Sequence, residues 1–200
     1  MSASARARTG AAVGGRLLPA ALLAAAGLAL VGQGVWIHAK AGLAQQLLQR
    51  AFAQSVADGA PVKPWPWADT WPVARIDVPR LNRSAVVLHG DSGEALAFGP
   101  GHVGGTPEPG RRGTAVYLAH RDTHFAFLGR LRPGDAVEVT RRDGRRFRYR
   151  VARARVAHRY ASGVDAASPG ERLVLATCWP LDGRTRGPLR YLVEAERIDA

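Results

Sequence analysis

One ordinary domain plus appendages is what 200 residues allow. A lone cysteine, Cys178, excludes an internal disulfide, so its thiol is buried filler, an intermolecular link or a reactive group. The net charge of +12 is almost all arginine, since Lys40 and Lys63 are the only lysines. GC-rich codon usage produces such a bias by itself, the basic residues are spread along the chain, and no aromatic interleaving marks a nucleic-acid reader, so no nucleic-acid partner is expected.

Residues 1–16 are small, polar and basic, with Arg6, Arg8 and Arg16 and no acid. Residues 17–37 carry no formal charge and are long enough to cross a bilayer. Pro19 stands near the start, where a helix tolerates it, and Trp36 near the far end suits the interfacial aromatic belt. A cleaved signal peptide is the rival reading. The run is longer than the usual signal core, and Gln33-Gly-Val-Trp-Ile is a poor cleavage context, so an uncleaved transmembrane helix is expected. The arginines precede the span. That sets the N-terminus in the cytoplasm and the rest beyond the inner membrane, facing the periplasm or exterior.

Residues 38–72 read as a juxtamembrane helix and a Pro/Trp-rich linker. Leu43, Leu47, Leu48, Phe52 and Val56 recur at helical spacing, a stripe for packing on the domain or the membrane surface. Asp58 to Pro64 ends the helix with Gly and Pro. Trp65, Trp67 and Trp71 fit either a lipid interface or the outer face of the domain.

Residues 73–199 form the expected catalytic domain. Strands are predicted at 74–78, 85–88, 115–118, 136–140, 146–151, 154–157, 173–177 and 189–195, with a hairpin around Arg142-Asp-Gly-Arg145. Residues 96–113 read as loop and 125–131 as one short helix. Some eight short strands with little helix argue for a small closed or partly closed β-barrel.

Cys178 ends the apolar run Leu173-Val-Leu-Ala-Thr-Cys and His120 ends a second, Ala115-Val-Tyr-Leu-Ala-His. Strand ends at loops are where sites form on rigid scaffolds. The pattern alone leaves Cys178 open between a small buried hydrophobe and a nucleophile. His120 is the candidate base. His120 and His124 at i, i+4 would suit a metal on a helix, but they cross a strand-to-loop junction and nothing completes a site, so no metal is expected. Arg190 lies on the strand after the Cys178 loop, where a guanidinium can offset charge on a carbonyl oxygen. Arg184 and Arg186 are its rivals, in a loop.

These residues resemble the sortase family. Leu175-Ala-Thr-Cys178 is similar to the Thr-x-Thr-Cys strand ending, with Leu175 in place of the first Thr. Gly101 to Gly110, Tyr117-Leu-Ala-His-Arg-Asp-Thr-His-Phe125 and Leu131-Arg-Pro-Gly-Asp-Ala-Val137 are similar to its His-bearing stretch, and Arg190 matches its arginine. The Trp-Pro-Trp lead-in and the Gly-Pro-Leu-Arg-Tyr closing look like the Gram-negative subclass. The resemblance implies a mainly β fold, an eight-stranded barrel with short helices behind the N-terminal transmembrane helix. It implies a cysteine transpeptidase. Cys178 takes a partner protein's C-terminal sorting signal as a thioester, His120 serves as general acid and base, Arg190 stabilises the oxyanion or positions substrate, and an amine collects the acyl group. It implies no cofactor, and the acidic loops through which some members bind calcium have no counterpart here. A cysteine hydrolase and a non-catalytic envelope scaffold are the alternatives.

Overall fold

A computed structural model describes residues 10–198 of the chain. Residues 1–9 of the expected basic segment, and residue 199 of the expected catalytic domain, lie outside the described residues. The chain divides into two compact units, 1–43 and 44–200.

One helix, α1 (Gly10–Asp58), covers both helical stretches expected from the sequence, with Pro19 inside it. Within the first unit, Leu22, Leu23, Leu28, Leu30 and Trp36 are each more than 60% exposed. The stretch is long and apolar enough to cross a membrane.

The second unit is a closed barrel of eight strands. They are β1 (Pro72–Val78), β2 (Arg83–His89), β3 (Gly101–His102), β4 (Gly113–Leu118), β5 (Ala136–Arg141), β6 (Arg146–His158), β7 (Glu171–Cys178) and β8 (Leu189–Arg197). Around the barrel the order is β1-β2-β3-β4-β7-β8-β6-β5. The β2–β3 and β4–β7 pairs are parallel and the rest antiparallel. Inward positions at period two supply the core, among them Ile76, Val87, Tyr117, Val139, Phe147, Tyr149, Leu173, Leu175 and Val193.

β7 reads as a continuous apolar run because both its faces are covered. Leu173 and Leu175 point into the barrel, and Val174 and Ala176 pack outside with Leu192 and Val164. The α1 stripe packs on the domain: Leu48 and Phe52 cluster with Val86, Leu88 and Ala95, the last from α2 (Gly93–Phe98). The tryptophans divide. Trp65 meets Phe98 edge-on and Trp71 stacks on His89, whereas Trp67 is 79% exposed.

Three local expectations are corrected. The loop expected over 96–113 holds the end of α2 and all of β3, whose two residues pair with Leu88–His89 and Tyr117–Leu118. The strands expected at 146–151 and 154–157 are one, β6, with a shift of register between Val151 and Arg153. The short helix expected over 125–131 is a turn followed by a single 3-10 turn, Leu128–Arg130.

Candidate active site

Register brings the site together. β4 runs parallel to β7 with Leu118 opposite Ala176, so two residues on His120 comes level with Cys178. The pairing continues beyond β4: Ala119 N–H donates to the Ala176 carbonyl at 3.2 Å, and the Thr177 hydroxyl donates to the Ala119 carbonyl at 2.7 Å. On the other side of β7, Cys178 is the direct antiparallel partner of Arg190.

Alternation then sets the face. Ala115, Tyr117 and Ala119 point into the barrel, as do Leu173, Leu175, Thr177 and, on β8, Val193 and Ala195. His120, Cys178 and Arg190 hold the other parity and share the outer surface. Cys178 sits in the middle strand, and two strand spacings put all three backbones within about 10 Å. The thiol is half-buried and His120 is exposed.

The loops on either side are anchored. After His120, Phe125 N–H returns to the His120 carbonyl at 3.1 Å, and Phe125, Phe127 and Leu128 are buried in the core. His124 is half-buried there; burial, with the neighbouring His120, holds it below the ordinary histidine value. Among the described residues no three of His, Cys, Asp and Glu gather in a way that could hold a metal. After Cys178, Trp179 stacks on Tyr191 with ring centroids 5.7 Å apart, and Trp179 N–H donates to the Leu189 carbonyl at 3.0 Å. That bond closes the neck of the loop 180–188.

Two guanidiniums face this loop. Arg190 is half-buried, and its Nη1 donates to the carbonyls of Gly187 at 3.2 Å and Leu189 at 2.9 Å. Arg184 and Arg186 are exposed within the loop. Arg121 donates to three loop carbonyls, Pro180 at 2.6 Å, Gly183 at 3.1 Å and Thr185 at 2.7 Å. From the sequence Arg121 is only the first residue of a polar loop, and its place directly after His120 is the sole signal it gives. A groove of about 810 Å³ beside α1, lined by Phe52, Arg75, Asn82, Arg83 and Glu138, contains none of the three candidate residues.

A half-buried thiol between an imidazole strand and a guanidinium strand is a suitable arrangement for acyl transfer. A family model described as a sortase domain matches residues 76–198. The chain is 27% identical over 124 residues to Sortase D of Bacillus subtilis (strain 168), a match that spans 62% of each protein. It superposes on Sortase A from Corynebacterium diphtheriae with a TM-score of 0.60 and 26% identity, covering 67% of this chain and 64% of that one. A Clostridium perfringens Sortase D5 transpeptidase gives a TM-score of 0.63 over 79% of this chain and 99% of that one, at 19% identity, a likeness of fold.

Proposed function

This chain belongs to the sortase family, and from that premise we propose that it is a membrane-anchored cysteine transpeptidase acting on the C-terminal sorting signal of a partner protein. The observation that carries the reading is the register that sets Cys178 opposite Arg190 and level with His120.

The Cys178 thiolate attacks the carbonyl carbon of a Thr-Gly-type peptide bond. Charge builds on the carbonyl oxygen, where the Arg190 guanidinium offsets it or grips the signal backbone. His120 gives a proton to the leaving amine, which departs with the C-terminal fragment and leaves a thioester. An incoming amine then attacks the thioester, His120 takes the amine's proton, and the thiolate is released. Every proton moves within the His120–substrate pair, so no cofactor enters the scheme.

Anchoring is part of the same proposal. The exposed leucines and Trp36 of α1 suit lipid, and the arginines before them suit a cytoplasmic N-terminus. The domain then works beyond the inner membrane, as a single-pass protein. A substrate with its own apolar tail is held in that plane, which raises its effective concentration. The reported relatives are sortases A and D, so the Gram-negative subclass rests on the Trp-Pro-Trp lead-in and the Gly-Pro-Leu-Arg-Tyr closing alone.

The test uses full-length protein in membranes. Its substrate is a tagged protein whose C-terminus carries a short polar motif, an apolar span and a basic tail. Cys178→Ala is expected to abolish the acyl-enzyme seen by mass spectrometry and to lower cleavage by about a thousandfold or more. Full cleavage in that variant would sink the reading. Added hydroxylamine separates transfer from hydrolysis: a C-terminal hydroxamate is expected, and the free acid alone would mark a hydrolase.

A further inference from the structure

The loop that follows Cys178 lies against the segment that follows His120, and one side chain makes most of that connection. Arg121 is half-buried, and its two terminal nitrogens reach the carbonyls of Pro180, Gly183 and Thr185. These carbonyls are spread over six residues of a loop whose positions 182–188 are exposed. Only a curved backbone can aim all three at one planar fork. The partners are carbonyls and not a carboxylate, so the guanidinium charge is spent on orienting loop dipoles. A charge-assisted hydrogen bond is stronger than a neutral one, and three at one centre set a definite loop shape.

One further contact lies on the same seam, and three bonds close the neck of the loop. A Cβ built on Gly129, within the anchored turn after His120, would lie 2.6 Å from Leu181 Cδ1, so the tip of the Leu181 side chain rests over Gly129. At the neck, the backbone bond from Trp179 to Leu189 and the Arg190 bonds to Gly187 and Leu189 fix the base of the loop. The loop is thus held on one flank by Arg190, from its own strand pair, and on the other by Arg121, from the turn after His120.

We propose that Arg121 is a positioning residue that fixes the loop 180–188 against the His120 segment, so that Cys178 and His120 face one preformed wall. The proposal rests on the transpeptidase reading for its catalytic consequence, but the loop's order exists without turnover. It predicts that the loop is released when the fork is lost, even if a positive charge remains. A lysine is a point charge on a flexible stem and cannot satisfy three carbonyls in one plane.

The experiment compares full-length wild type, Arg121→Lys and Arg121→Ala in detergent micelles. Trypsin cleavage at the exposed Arg184 and Arg186 should accelerate about tenfold or more in both variants, while peptides of β4 and β7 keep the hydrogen exchange of wild type. Cys178 alkylation by a bulky polyethylene-glycol maleimide should accelerate several-fold relative to iodoacetamide, since the loop no longer walls one side of the thiol. Unchanged loop cleavage in both variants overturns the proposal. So does a uniform rise of exchange across the barrel strands, which would make Arg121 a general stabiliser, and so does full restoration of loop protection by lysine. None of these readouts uses a substrate, so a failed Cys178→Ala test and a failed Arg121 test are told apart.

Discussion

Arg190 stands across the strand pair from Cys178, yet its guanidinium is turned to the carbonyls of Gly187 and Leu189. To meet a substrate oxygen it must trade those bonds for new ones, and a planar fork can do so one nitrogen at a time. Arg190→Lys is therefore expected to fold normally and to lose activity by about a hundredfold, near the cost of removing one oxyanion donor. Turnover assays beside a thermal melt check this. Near-normal turnover, with a dead Arg184→Ala or Arg186→Ala, would move the role to the loop. That Cys178, His120 and Arg190 lie on neighbouring strand ends was legible in the sequence because each stands at the end or start of an apolar strand, where period-two alternation also fixes the face. Arg121 was not. Its partners are backbone carbonyls some sixty positions away, and a carbonyl has no residue type by which to be noticed.

Among the elements, those with a strong local pattern were readable and those that depend on a neighbour were not. β5, with its strict alternation of burial, follows from its own residues. β3 has two residues, one of them glycine, and exists only because β2 and β4 lie on either side. β6 reads as two strands because the register shift near Ala152 breaks the apolar phase, while the backbone runs on to His158. Packing between elements is tight at the Gly110 turn. Gly110 has φ +79, and a Cβ there would lie 1.9 Å from Phe147 Cε1. Its N–H also donates to the Tyr149 hydroxyl at 2.8 Å. Gly110→Ala combines left-handed strain with overpacking and is expected to cost about 2–4 kcal/mol in urea unfolding. An unchanged midpoint would mean that the turn and the ring yield together.

For the whole molecule, the boundary between the two units falls inside α1, at Leu43. The hydropathy of the first unit was plain in the sequence, but where the second begins was not. That depends on Leu48 and Phe52 finding Val86 and Leu88. A chain beginning at Ala44 is expected to keep the unfolding midpoint of the detergent-solubilised full chain. One beginning at Gly59, without Leu48 and Phe52, is expected to lose on the order of 3 kcal/mol by apolar exposure. Equal midpoints for the two would show that the stripe adds nothing. The strand order carries one more consequence. β8, last of the eight in the chain, inserts between β7 and β6 and so closes the barrel. As the polypeptide emerges from its N-terminus, the apolar span comes first, the imidazole next, the thiol later and the guanidinium last. A nascent or prematurely ended chain holds its sulfur in an open sheet with no arginine strand beside it. On the proposed reading the span is therefore made before Cys178 and Arg190 are paired, and that order is written into the topology.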